Sequence, residues 1–360
     1  MTSSPPPAPT PATTTYLDLV KACDNFPYID LSKTPYAEHP DPVYYQLLLP
    51  NDPRPHGYML PSVVSRMPWT SSFAVSPPAS RPRTVQVLGP DTPEAINAAF
   101  AELIGLAASA RVFASLAPPL HDETFRILGA RTSTTVAAAD SPRPPVQLLR
   151  AAAGLFGIAC RGSHMTVYTR APGPSGSAAS ELQIWVPRRS AHLRTWPGRL
   201  DTSVAGGVRA SESPFECVVH EADEEASLPA SLVRRDARAC GAVTYVCASG
   251  AGSGGEHGLV VPDVLYVYDL EVAPGVVVPR PRDGEVHEFR LCTVPQVRDA
   301  LLRGEFKTNS AAVMVDFFVR HGLVTAEDEP DFLDILARLH RPLPVPTTAT
   351  AAAAAAAASS

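Results

Sequence analysis

The stretch HEADEEASLP, residues 220–229, sets four acidic side chains into six consecutive positions and is preceded by apolar residues. Extended upstream it reads SPFECVVHEADEEASL (213–228), and this pattern predicts a helix. Ser213 suits the N-cap, Pro214 the first helical position, and Glu216 the closing position of a capping box. At 100° per residue, Phe215, Val218, Val219, Ala222 and Ala226 share one face that should be buried. Glu221, Glu224 and Glu225 cluster roughly opposite, because spacings of three and four bring side chains together. Like charges so placed repel by about a few tenths of a kcal/mol per pair. No lysine or arginine is interspersed among them. The residues thus leave two readings open, a solvated acidic face and a site for a hard divalent cation, which prefers oxygen ligands.

Outward from this helix the chain alternates apolar segments with Pro/Gly punctuation, as in a mixed α/β protein. ELQIWVPRRS (181–190), GAVTYVCAS (241–249), DVLYVYDLEV (263–272) and EVHEFRLCTV (285–294) predict strands rich in β-branched and aromatic residues. NSAAVMVDFFVRHG (309–322) predicts a helix ending at Gly322, and EPDFLDILARLH (329–340) another. In the N-terminal half, DTPEAINAAFAELIGLAASAR (91–111) predicts a helix capped by Thr92, with Ile96, Phe100, Leu103 and Ala107 on one face. Residues 112–150 are irregular and Pro-rich. The Gly-rich SGAGSGGEHG (249–258) does not lead into a helix, and therefore suits a hairpin loop better than a phosphate cradle. Residues 1–16 are Pro/Thr-rich and 344–360 end in an alanine run, so both are expected to be disordered tails.

At 360 residues and a net charge of −6, the chain can bury a large core and has no basic stripe, which argues against a nucleic-acid partner. No apolar run reaches the length that spans a bilayer, and the N-terminus lacks the features of a secretory or transit signal, so no membrane partner and a cytoplasmic location are expected. The six cysteines show neither C-x-x-C pairing nor zinc-type spacing and read as scattered thiols.

Gly206, five residues, Glu212, seven residues and then HEADEEASL give G-x5-E-x7-H-E-A-D-E-E-A-S-L. This resembles the Nudix box, the signature of hydrolases that cleave nucleoside diphosphates linked to another moiety. His220 stands where that family has Arg, and Ser227 where it has Gly. The resemblance implies Mg2+, with Mn2+ as the alternative, held chiefly by Glu224 and Glu225. Glu221 would be a further ligand or the base that orients water, with Glu212 in support and the Gly206 carbonyl joining the shell. One more carboxylate would come from outside the box, with Glu285 or Glu288 of DGEVHEF as candidates.

The resemblance extends to WVPRRSAHLRTWPGRLDTSVAGG (185–207), YVYDL (266–270), PRPRDGEVHEFRL (279–291) and GEFKTNSAAVMVDFFVRHGLV (304–324), and to LVKACDNFPY (19–28), GYMLPSVVSRMPW (57–69) and LLRAAAGLFGIACRGSHMTVYT (148–169). These segments are similar to the thiamine-pyrophosphokinase-related Nudix proteins of fungi and plants. TWPG, FKTNS and Asp263 depart from that group's pattern, which has Glu at the last of these positions. The implied architecture is an α/β accessory domain (17–170) followed by a Nudix α/β/α sandwich with a mixed sheet (171–343). The implied activity is hydrolysis of a small-molecule diphosphate, thiamine diphosphate or its oxo and oxy derivatives, to monophosphate and phosphate. Two alternatives stand beside it: a hydrolase of another nucleoside-diphosphate derivative, and a catalytically silent ligand-binding module. Kinase activity is not expected, because little chain follows residue 343.

Outside the box, Arg188 and Arg189 suit either a bidentate grip on a diphosphate or the charged end of a strand. Trp185 and Trp196 suit ring stacking or core packing. Lys307 and Asn309 sit at a predicted helix start, where an anion can be held. His164 reads as a satisfied core histidine.

Overall fold

The computed structural model describes residues 14–28, 44–80, 82–132, 144–172, 180–250 and 255–349. The N-terminal part runs α1 (Tyr16–Cys23), β1 (Tyr45–Leu49), β2 (Asp52–Met59), α2 (Pro61–Arg66), β3 (Phe73–Val75), β4 (Thr84–Val87), α3 (Pro93–Ser109), β5 (Thr124–Arg126), β6 (Gln147–Leu149) and α4 (Ala153–Phe156). It is followed by β7 (Cys160–Pro172), β8 (Ser180–Arg189), β9 (Val204–Gly207), α5 (Pro214–Ala226), α6 (Ala230–Asp236), β10 (Arg238–Ala248), β11 (Val260–Glu271), β12 (Val286–Thr293), α7 (Val294–Leu302), α8 (Thr308–Arg320) and α9 (Phe332–Leu339).

A six-stranded mixed sheet has the order β10-β11-β7-β8-β12, with β9 also paired to β7. Only the β11–β7 pair is parallel; β10–β11, β7–β8, β7–β9 and β8–β12 are antiparallel. Successive strand residues face opposite ways, and the sheet buries both faces accordingly. Val267, Leu265 and Ile184 pack with α1, α7, α8 and α9 on one side. Met165, Val167, Tyr268 and Leu270 pack with α5 and α6 on the other. The result is an α/β/α sandwich. A second unit, the four-stranded sheet β2-β1-β4-β3 with α3 and α4, has its own core around Phe100 and Phe156.

The helix expected over 91–111 forms at 93–109, with Thr92 capping Ala95 N–H and Ile96, Phe100, Leu103 and Ala107 buried. Two expected boundaries change. A division at 170/171 falls inside β7, whose residues 160–171 run from the strand's first pairing with β11 to its pairing with β8. Helix α1, also N-terminal to that division, joins the α7–α9 layer. The expected tails cover residues 14–16 and 344–349, yet Thr15 caps α1 and Val345 is buried. Residues 1–13 and 350–360 of those tails lie outside the described residues. The loop over 249–258 joins the antiparallel strands β10 and β11, with residues 251–254 outside the described set. All six cysteines are free. Among the described residues no helix is long and apolar enough to cross a membrane.

Candidate active site

Helix α5 is held as its sequence dictates at its start and differently at its acidic face. Ser213 accepts from Glu216 N–H at 3.1 Å, so half of the expected capping box forms. The other half does not, because the Glu216 carboxylate is taken by Arg234 of α6 in a two-bond pair at 2.6 and 2.5 Å. Asp223 likewise pairs with Arg282 from a distant loop. The cations absent from the helix itself thus arrive for its outer acids from elsewhere in the chain.

The other three carboxylates are arranged differently. Val218, Val219, Ala222 and Ala226 bury as expected, and Glu225 is buried with them, only 6% exposed, rather than facing solvent. Its Oε2 accepts Ala205 N–H at 2.9 Å. Burial foremost, then the Glu221 carboxylate, lifts Glu225 well above the usual carboxylate range. Glu221 lies against β9, where a Cβ on Gly206 would come within 2.1 Å of its Oε1. Burial, then Glu224 and Glu285, push Glu221 up to about 8; Arg150 and Arg209 pull the other way. Glu224 is exposed at the rim. His220 stands between two acids, with Nδ1 3.4 Å from Glu212 and Nε2 3.6 Å from Glu224. Glu212 also accepts Arg209 N–H at 2.8 Å. At the end of the helix Ser227 takes the left-handed conformation (φ 54°) that glycine adopts without strain, and its hydroxyl donates to Arg280 O at 3.0 Å.

Glu221, Glu224, Glu225, Gly206 and Glu285 line one cavity of about 710 Å³, a size typical of small-molecule sites. Its wall also carries cations. Arg189 and Lys307 face the same space and share one buried carboxylate, Asp201, at 3.1 and 3.6 Å. Asp201 is fixed further by Thr202 N–H at 2.9 Å and by the Ser310 hydroxyl. Two cations on one carboxylate leave surplus positive charge toward the cavity. Residues of the N-terminal half close the other side. Arg150 lies over the Phe125 ring, 5.4 Å from its centroid, and is paired with Glu123 at 2.5 Å.

The fit to a divalent cation follows from these observations. Three carboxylates of α5 meet Glu285 in one pocket, two of them pushed toward the neutral form chiefly by burial, and Gly206 leaves room for one of them against the backbone. Oxygen donors of this kind suit a hard cation. Among the described residues, however, no three His, Cys, Asp or Glu side chains converge into a ready-made metal cage.

Other expected site residues go elsewhere. Arg188 points to the opposite side of β8 from Arg189, donating to Gly198 O at 2.8 Å and facing Glu288 at 3.5 Å. Glu288 is thereby separated from Glu285, across an irregularity in the β12–β8 register. Trp185 packs against the core beneath α5, and neither it nor Trp196 lines the cavity. Asn309 does line it. His164 also borders the cavity, with Nδ1 2.8 Å from the Thr202 hydroxyl, and burial lowers it to about 3, so it stays neutral. Asp201, Arg150 and Arg161 were not expected at the site; none carries a local spacing signal, and only the tertiary fold assembles them.

Residues 178–314 match the family model described as the NUDIX domain. An uncharacterised protein of Saccharomyces cerevisiae is 40% identical over 206 residues, covering 56% of this chain and 58% of the yeast protein. Nudix hydrolase 20, chloroplastic, of Arabidopsis thaliana is 37% identical over 193 residues, 53% of this chain and 47% of the plant protein. The chain thus spans about half the length of the curated relatives it matches. Among solved structures, the NUDIX domain of Shewanella oneidensis NrtR complexed with ADP ribose aligns with 54% of this chain and 100% of that one, at 12% identity and a TM-score of 0.34. Residues 178–314 of this chain are a NUDIX domain.

Proposed function

We propose that the chain is a Mg2+-dependent hydrolase of small-molecule diphosphates, with thiamine diphosphate or its oxo and oxy derivatives as the leading substrates, yielding monophosphate and phosphate. The observation that carries this reading is the meeting of both charge signs in one cavity, Glu221, Glu224, Glu225 and Glu285 beside Arg189 and Lys307. A phosphoanhydride needs that combination, since its oxygens are anionic and attack on phosphorus requires an activated water. Glu221, Glu224, Glu225, Glu285 and the Gly206 carbonyl are the groups that would hold Mg2+, or Mn2+, with Glu212 in support through His220. When bound, the cation supplies charge neutralisation at the phosphoryl oxygens. Arg189 and Lys307, which line the same cavity, would grip the diphosphate, pre-positioned by Asp201. Glu221, raised to about 8 by burial in the metal-free chain, would serve as a further ligand or, in its ionised form, as the base that orients water. A cytoplasmic location is part of the same proposal, as is the absence of nucleic-acid and membrane partners.

The test is a panel of thiamine diphosphate, its oxo and oxy forms, ADP-ribose and nucleotide sugars, incubated with Mg2+ and followed for phosphate and monophosphate. Cleavage of the thiamine compounds, lost on combined Glu224→Gln and Glu225→Gln substitution, is the expected outcome. Cleavage confined to ADP-ribose or nucleotide sugars would replace the substrate assignment, and measurable binding with no turnover would leave a silent module.

A further inference from the structure

One polar side chain on the cavity wall has a free end. Strand alternation puts Cys160, Gly162 and His164 on one face of β7, and all three line the cavity. His164 is only 3% exposed. The space that a Cβ on Gly162 would take is flanked by His164 Cδ2 at 3.9 Å and by the Gly206 carbonyl at 3.5 Å. The edge of the imidazole that carries Nε2 therefore borders the same spot as that carbonyl. Among the described residues Nε2 has no hydrogen-bond partner, and it is not one of the partnerless atoms sealed from solvent, so it keeps surface toward the cavity. Buried polar groups almost always find a partner in the folded chain or in what binds to it.

The other ring nitrogen decides what Nε2 can offer. Nδ1 is 2.8 Å from the Thr202 hydroxyl. That hydroxyl also faces Val204 O, but at 3.4 Å, beyond the roughly 2.5–3.0 Å usual for an O–H donor to oxygen. The hydroxyl proton therefore goes to Nδ1, which accepts it. Burial, then the Lys307 cation, keep the ring neutral, and a neutral imidazole with one accepting nitrogen carries its proton on the other. Nε2 is thus an uncharged N–H donor.

The surroundings describe its acceptor. Ala205 stands opposite His164 across the β7–β9 pair, so their side chains share a face, and the Ala205 N–H holds Glu225. On the other side Thr202 follows Asp201, which holds Arg189 and Lys307. The donor stands between the acids and the cations, where the oxygens of an anion drawn in by Arg189 and Lys307 would lie. An uncharged donor adds a hydrogen bond there without the repulsion that a third cation would bring.

We propose that His164 binds a phosphoryl oxygen of the substrate through Nε2–H, with Thr202 as the positioning residue that keeps Nδ1 an acceptor. The assignment deepens the hydrolase reading above and rests on it for the phosphate end of the ligand. It applies to any diphosphate, because it concerns the group that all the candidate substrates share.

The probe is methylenediphosphonate with Mg2+, in which a P–C–P link replaces the scissile bridge, so binding is read without turnover. The full chain, labelled with 15N-histidine, is followed by long-range 1H–15N NMR. The His164 signals are those that vanish in His164→Gln and change in Thr202→Val. The expected spectrum has Nε2 protonated and Nδ1 not, with the Nε2–H proton moving downfield when the probe binds. In Thr202→Val the proton should spread to Nδ1. By calorimetry His164→Leu should bind the probe about 10- to 100-fold more weakly, the range of a hydrogen bond to a charged group. His164→Gln, whose amide can place a donor near the Nε2 position, should recover at least about half of that loss on a logarithmic scale. An unprotonated Nε2, an Nε2–H that the probe does not move, or a folded His164→Leu that binds like the parent overturns the proposal. So does a His164→Gln no better than His164→Leu. If the probe does not bind, or if none of the ten imidazoles responds to it, the proposal falls without any variant. Hydrolysis of the diphosphate panel is followed separately with Mg2+. Cleavage with no response at His164 defeats the donor alone. A response at His164 with no cleavage of any diphosphate defeats the hydrolase reading alone.

Discussion

Replacing Glu221 by Gln in metal-free protein separates electrostatics from catalysis. In the folded chain the Glu221 carboxyl is raised from 4.5 to about 8, first by burial and then by Glu224 and Glu285. The unfolded chain returns it to its ordinary range. A folded-state value above the unfolded one means that Glu221's contribution to stability is fully present below about pH 4.5 and is lost as pH rises through 8. At 1.36 kcal/mol per unit, the about 3 units between 4.5 and 7.5 amount to roughly 4 kcal/mol. Gln cannot ionise, so it avoids this loss while keeping nearly the same shape against Gly206. In EDTA at pH 7.5, Glu221→Gln should therefore be more stable than the parent, by about 2–4 kcal/mol, or about 5–10 °C in melting temperature.

The pH series sharpens the expectation. The parent should lose stability from pH 5 to pH 8 relative to the variant, and the two should converge near pH 4.5. Adding Mg2+ should narrow the gap at pH 7.5, because a ligand that binds only the folded state stabilises by about 2.7 kcal/mol at a hundredfold excess over Kd, and the variant has lost one ligand. Melts and urea titrations at each pH, with EDTA or Mg2+, measure all of this. A Glu221→Gln protein less stable than the parent in EDTA at pH 7.5, or one with the same pH slope, would refute the picture of an uncompensated carboxylate.

Three further outcomes are expected. His220→Arg, placing a permanent cation between Glu212 and Glu224, should leave kcat/KM equal or up to about tenfold higher; a tenfold loss would mean that His220 has a role of its own. Gly206→Ala would force the end of Glu221 aside, since the new Cβ would sit 2.1 Å from Oε1; kcat should fall by about 100-fold with little change in melting temperature, and unchanged kcat would detach Glu221 from the chemistry. Ser227→Gly relieves a left-handed serine at φ 54° and loses its bond to Arg280 O, for a net gain of about 0.5–1 kcal/mol in urea unfolding; a loss of stability would show that the hydroxyl outweighs the strain.

The acidic helix, four of the strands after residue 180 (β8, β10, β11 and β12, but not β9) and the final two helices were legible in the sequence because their signals are local: a cap, a period, an unbroken motif. The boundary of the sheet unit was not, because β7 belongs to it by pairing with β8, β9 and β11, and pairing leaves no mark within 160–172. The charge pattern of α5 was legible only in part. No basic residue within the helix accompanies its acids, yet Arg234 and Arg282 reach Glu216 and Asp223 from outside it. Periodicity placed Glu225 among the exposed acids, but the Ala205 amide draws it inward. Arg188 and Arg189 were indistinguishable as neighbours in sequence; strand alternation sends only Arg189 to the cavity.

The paired glycines of β9 explain why the motif by itself is not the site. Gly206 admits Glu221 from α5. Gly207, facing the other way, admits Arg150 and Phe125, whose tips would lie 3.1 Å from a Cβ there. One glycine therefore serves the helix that carries the acids, and the next serves the N-terminal wall that completes the cavity. That wall is held from the sheet unit as well: Glu256 accepts Ser115 N–H at 3.2 Å and also the Ala114 amide, while Arg194 donates to Ala114 O at 2.8 Å. A Nudix-box helix set on its sheet without residues 114–125 and 150 would keep its carboxylates but lose one side of the pocket that faces them. The N-terminal half thus shapes what can enter the cavity, and on the proposed hydrolase reading the acids of HEADEEASLP would act on whatever that shape admits.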